Sequence, residues 1–189
     1  MQHFQDSFSL AEEPQRIARR LIAEDPQFPH LKEADPLLAV LFSQMEVRLH
    51  GARAAAIVAL PKVQGTFRNL FEFLVAAFVA PLCGWHDPDF IIVVDAAIWQ
   101  SLDAERRERL IFHELCHVVA KEDEFGVMRR DKESGKPLLK LVPHDVEVFH
   151  AEIIKYGPEV CELETACEAI VEGAAQAKRR RFKVIGKAS

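Results

Sequence analysis

Hydrophobic and polar positions alternate along this chain in several distinct rhythms. In residues 66–80, apolar side chains recur at 67, 70, 71, 74, 75 and 78, the spacing of a helix face. Pro81 and Gly84 close that segment. The run from Asp89 to Asp95, with Phe90, Ile91, Ile92, Val93 and Val94 between, is short and continuously apolar. It predicts a buried strand. Residues 101–121 follow as a helix. Ser101 or Asp103 caps its start, Asp103 and Glu105 suit its first turn, and Leu110 to Ala120 supply its buried part.

The remaining segments are read in the same way. Residues 1 to about 30 are polar and broken by Pro14, Pro26 and Pro29, which predicts a loosely attached end with a short helix around Gln15–Ala23. Asp35-Pro36 reads as a helix start, with Leu37, Leu38, Val40 and Leu41 following. Residues 46–63 suit one or two strands with a turn at His50-Gly51. Residues 125–142 read as a hairpin turning at Lys132–Lys136 and ended by Pro143. Residues 145–156 form a helix with Val146, Phe149, Ile153 and Tyr156 on one side, stopped by Gly157-Pro158. A last helix runs from Glu159 to about Lys183.

Composition narrows the class. The chain has 189 residues, 49% hydrophobic and 28% charged, which suits one globular domain with its own core. A net charge of -5 argues against general attraction to nucleic acid or anionic membranes. The local exception is the basic cluster Lys178, Arg179, Arg180, Arg181 and Lys183, read first as a solvated helix end and second as a weak nucleic-acid or partner contact. Cys83, Cys116, Cys161 and Cys167 show neither CxxC spacing nor a disulfide framework, so a reducing compartment is expected. The N-terminus lacks the pattern of a signal peptide. The longest uncharged apolar stretch, Phe73 to Cys83, is too short to span a bilayer. A cytoplasmic location without membrane attachment is the expectation.

The chemistry concentrates at His113-Glu114-Leu115-Cys116-His117. Two histidines four residues apart on a helix are separated by a turn of about 400° and a rise of about 6 Å, so both imidazoles share one face. They can hold one metal ion from one side. Glu114 is rotated away from that line, where a carboxylate serves better as a base toward water than as a ligand. Zinc with three protein ligands lowers the pKa of its water to about 7, and Glu114 would carry the proton on to a leaving amine. The helix is apolar around these groups, at Leu110, Ile111, Phe112, Leu115, Val118 and Val119. Polar groups on such a helix need a partner, and a metal is one. The third ligand is sought among Glu122, Glu124, His144, Glu147 and His150. His144 is favoured, because a hairpin returning from the metal helix would present it, and Glu147 is the runner-up. The extended motif with a third His six residues on is excluded by Ala120 and Asp123. Cys116 reads as a packing residue, and His3, His30, His50 and His86 as solvated or core residues.

The stretch from Asp89 to Val118, an excursion of about two dozen residues, and the segment Pro143 to Gly157 together resemble the putative phage metallopeptidase family. The shared features are the apolar strand, Trp99 with Leu102 ahead of the metal helix, HELCH itself, and His144-Asp145-Val146-Glu147 with Phe149. The family is itself distantly similar to SprT-like proteins. The resemblance spans roughly Pro29 to Gly157 and implies a minimal zincin-like α+β fold, with zinc on His113, His117 and His144. Phe112 departs from the pattern, which has a polar residue before the first His. On this basis residues 1–28 are expected as a flexible or helical segment, 29–157 as the zincin-like domain and 158–189 as a C-terminal helix with a basic tail.

The leading expectation is a zinc peptidase acting on a peptide or protein substrate, with a small twisted sheet flanked by helices. Two alternatives stand beside it. One is a metal-containing regulatory module that binds nucleic acid or a protein without turnover. The other is a zinc hydrolase of amides or esters other than peptides.

Overall fold

The computed structural model describes residues 7–49, 52–59, 88–143 and 149–160. In chain order its elements begin with β1 (Phe8–Leu10), α1 (Glu12–Glu24), α2 (Pro29–Ala34) and β2 (Leu38–Ser43). Then come β3 (Arg48–Leu49), β4 (Ala52–Arg53), β5 (Ala56–Ala59), β6 (Phe90–Asp95) and α3 (Ala96–Ser101). They end with α4 (Ala104–Cys116), β7 (Val118–Ala120), β8 (Leu139–Leu141) and α5 (His150–Val160). The fold is α+β.

A four-stranded sheet in the order β1-β2-β6-β5 carries the unit Met1–Glu147. β2 and β6 run parallel, in register from Leu38 opposite Phe90 to Ser43 opposite Asp95. β1 and β5 flank them antiparallel. The central pair is covered on both faces, which is why its sequences are continuously apolar rather than alternating. α1 packs against α4 and β2, and α4 also reaches β5. Phe28 and Phe112 meet with ring centroids 5.0 Å apart in the core beneath α4.

Several expectations change at this point. Asp35-Pro36 does not start a helix. Asp35 ends α2 in a left-handed conformation (φ 45°), and residues 38–43 form β2. The continuous apolar run Leu37–Phe42 fits a doubly covered strand as well as a helix, and only the neighbouring strands decide between them. The helix expected over 101–121 is shorter. Asp103 caps α4, its carboxylate accepting from the Arg106 amide at 2.8 Å, and the helix stops at Cys116. Val118 and Val119 are β-branched and pair with β8 instead. The expected hairpin is therefore longer than 125–142, since it opens at Val118. The turn expected at Lys132–Lys136 is present: the Asp131 amide donates to the Lys136 carbonyl, and the Asp131 carboxylate accepts from the amides of Glu133 and Ser134.

The chain's beginning is helical, as expected, in α1. Loose attachment is not what residues 8–24 show: β1 extends the sheet, and Pro14, Ala18 and Leu21 are buried. The turn expected near His50-Gly51 is flanked by the paired β3 and β4. The helix predicted over 66–80 lies outside the described residues, as do the basic cluster and most of the last predicted helix. Among the described residues, no helix is long and apolar enough to cross a membrane.

In the second unit, Val148–Ser189, α5 is described. The Phe149 amide donates to the Glu152 carboxylate at 3.0 Å, one half of a capping box. Gly157 has φ 80° and ψ 163° and breaks the helix, at the predicted stop. That conformation is open to glycine and strained for other residues.

Candidate metal centre

The site is the last turn of α4 and the backbone that leaves it. His113 lies within the helix. His117 follows it directly and keeps right-handed helical angles (φ -66°, ψ -22°), so the spacing of four residues still places both rings on one side. Their centroids are 5.1 Å apart, with ring planes at 79°. Ile111, Phe112 and Leu115 anchor the opposite side of the turn in the core. Glu114 is only 4% exposed. A carboxylate at that depth is costly unless polar or cationic groups compensate it, so it is not an ordinary surface glutamate.

The long hairpin closes on His117 twice. The Val142 amide donates to the His117 carbonyl at 2.9 Å. The His117 ring donates from Nδ1 to the Val142 carbonyl at 2.7 Å. A carbonyl only accepts, so this contact fixes the proton on Nδ1 and leaves the lone pair on Nε2. A ring held in this way by a backbone carbonyl is the usual arrangement of a metal-ligating histidine.

The opposite edge of the same segment is held as well. Val118 sits opposite Leu141, while the flanking residues carry the bonds to β8. Its carbonyl therefore points away from β8, where it meets Nε2 of His30 at 2.8 Å. His30 stands at the start of α2, 88 residues away in sequence. From the sequence alone His30 is expected as a solvated or core residue. Nothing local signals its role, which arises from the packing of α2 on β7.

Of the predicted site residues, His113, Glu114 and His117 are described and come together. His144 and Glu147 lie outside the described residues, and the side chain of His150 is likewise not described. Glu122 and Glu124 are exposed on the hairpin. Among the described residues, no group of three His, Cys, Asp or Glu side chains is assembled to hold a metal. Cys116 is buried, in keeping with a packing role.

The two-histidine donor set fits zinc, which takes imidazole nitrogen readily and needs its ligands deprotonated. The fit rests on His117 presenting Nε2 beside the His113 ring.

Neither the curated proteins nor the solved structures contain a match to this chain. The sequence model of one family, described as putative phage metallopeptidase, matches residues 6–172. The match reaches further toward both ends than the resemblance read from the motifs. It takes in the apolar strand β6, the helix α4 with His113, Glu114 and His117, and the hairpin that clamps His117. This chain belongs to the putative phage metallopeptidase family.

Proposed function

We propose that this protein is a zinc-dependent peptidase, with His113, His117 and His144 as metal ligands and Glu114 as the general base. The observation that carries the reading is the paired geometry at His117: its Nδ1 is tied to the Val142 carbonyl, and the His113 ring lies 5.1 Å away. Family membership supports the same reaction class.

Zinc bound there would supply Lewis acidity, bringing the pKa of water toward 7 and polarising a scissile carbonyl. The chain's own groups supply the rest. The Glu114 carboxylate accepts a proton from the attacking water and delivers it to the departing amine nitrogen. Its burial keeps the carboxylate in a low-dielectric surrounding, where a proton acceptor works with little solvent competition. The Val142 clamp keeps the His117 ring in the ligating tautomer.

His144 as third ligand has support from chain geometry. It follows Val142 by two residues, and two trans peptide units span at most about 7 Å. The β7–β8 register that sets Val142 on His117 thus returns the backbone to the metal helix just before His144. Glu147 is three residues further on, where the register constrains it much less.

The proposed substrate is an extended polypeptide. β5 is the last strand of the sheet among the described residues, and it packs against α4. A peptide added along such an edge would lie beside the metal helix, its main chain supplying the hydrogen bonds.

The test is zinc content by mass spectrometry on wild type, His144→Ala and Glu147→Ala. The reading expects about one zinc per chain, lost with His144→Ala and kept with Glu147→Ala. Loss with Glu147→Ala alone would replace the three-histidine site with a His-His-Glu one. A wild type that takes up no zinc after loading would overturn the proposal.

A further inference from the structure

We infer that His30 is a positioning residue for the metal centre: its imidazole holds the Val118 carbonyl and thereby fixes the outer edge of the backbone on which His117 is mounted. The inference rests on the zinc-site reading above and adds a residue to it.

His117 lies past the end of α4, so the helix's own hydrogen bonds do not extend beyond it. Its position depends on the next few residues. On one edge the hairpin supplies two bonds, from the Val142 amide to the His117 carbonyl and from His117 Nδ1 to the Val142 carbonyl. Those two bonds define a hinge line along β8, about which the segment could still rotate. The opposite edge of β7 is where rotation is stopped. There the Val118 carbonyl, one peptide beyond His117, is gripped by His30 Nε2 at 2.8 Å. Val118 itself is fully buried, so water does not compete freely for that carbonyl.

The grip comes from a rigid support. His30 sits in the first turn of α2, directly after Pro29. Leu31 and Ala34 of α2 are buried in the core, and Phe28, at the N-cap position of the helix, packs its ring tilted against Phe112, next to His113. Arg130 of the hairpin pairs with Glu33 of the same helix. α2 is therefore joined both to the core under the metal helix and to the hairpin that closes on it. His30 is the side chain through which α2 touches the peptide after His117.

A metal ligand loosened by a few tenths of an ångström binds less tightly, and residues behind ligating histidines commonly account for about 10- to 100-fold in affinity. The donor at the end of the His30 side chain is what this requires, so its replacement by another donor at the same reach should serve. Gln places its amide nitrogen close to where His places Nε2, whereas Asn is too short.

The experiment measures zinc affinity by competition with a chromophoric chelator for full-length wild type, His30→Gln, His30→Asn and His30→Ala. Thermal unfolding of each metal-free protein is measured alongside. The expected result is near-wild-type affinity for His30→Gln and affinity weakened about 10-fold or more for His30→Asn. His30→Ala should match His30→Asn. The Gln and Asn variants differ in reach alone, so a similar unfolding midpoint for the two would separate positioning from general destabilisation. Equal zinc affinity for Gln, Asn and wild type would overturn the inference and leave the zinc site standing. An affinity loss that tracks the unfolding midpoint would also overturn it, making His30 a purely structural residue. A wild type that binds no zinc would overturn the site reading and this inference together.

Discussion

Glu114 is the residue at which the proposed chemistry is most directly tested. It lies between two histidines that face one side, yet its own side chain is buried. If it is the base, Glu114→Gln keeps a polar group of the same size and removes only the ability to accept a proton. The expected outcome is a variant that retains zinc and folds like wild type, with peptidase turnover reduced by about 10²- to 10⁴-fold. Turnover on unfolded casein together with zinc content checks it, and full turnover in the variant would remove Glu114 from the mechanism. At this scale the pairing of the two histidine rings was readable. The spacing of His113 and His117 is local, and helical periodicity converts it directly into shared geometry. His30 was not readable, because the group it serves lies 88 residues away and is a backbone carbonyl that carries no sequence signature.

Elements were readable where one local signal dominated. β6 declared itself by an unbroken apolar run, and α4 by Asp103 at its cap. β2 was mistaken for a helix because its apolar run is short and its neighbours in the sheet are distant in sequence. The end of α4 was set too late because Val118 and Val119 continue its hydrophobicity, and only pairing with β8 shows that they have left the helix. The junction of β6 and α3 offers a test at this scale. Asp95 is buried, caps α3 by accepting from the amides of Ala97 and Ile98, and pairs with Arg53 of β4 at 2.9 Å. Burial pushes its carboxyl up, but the Ile98 amide, the Arg53 guanidinium and the Val47 amide outweigh that and hold it below the ordinary 3.8. A carboxyl whose folded pKa is depressed stabilises the fold above its unfolded pKa, and that contribution disappears as pH falls through the folded value. Asp95→Asn should therefore be less stable than wild type at pH 7. The gap should close as pH drops below about 4. Urea unfolding midpoints of both proteins at pH 7, 5 and 3 check this, and a gap that stays constant with pH would show that the charge of Asp95 contributes nothing.

The whole molecule raises the question of where the folding unit begins. Prolines and polar residues made the first 28 residues look like an appendage, and the motif resemblance began at Pro29. The tertiary contacts contradict independence. Gln15 of α1 acts on β2 as a strand would: its amide nitrogen donates to the Leu38 carbonyl at 2.8 Å, and its amide oxygen accepts from the Val40 amide at 2.9 Å. The Ala11 amide adds a bond to the Val40 carbonyl. Glu13 receives hydrogen bonds from both Trp99 and Arg107, which ties α1 to α3 and α4. Removing residues 1–28 would strip β2 of its outer partner and expose the face of α4 that α1 covers. The unpaired backbone groups of a central strand are then left at an open edge, a template for association. The expected outcome for a chain starting at Pro29 is loss of the cooperative thermal transition, with aggregation on concentration. The milder Gln15→Ala should fold, but with stability lowered by about 1–3 kcal/mol for two lost backbone partners, or a few degrees in Tm for a chain of this size. Circular dichroism melts of both distinguish the cases. A truncated chain that melts as sharply as wild type would show that the sheet closes without β1 and α1, and that α4 depends on β5, β6 and the hairpin alone.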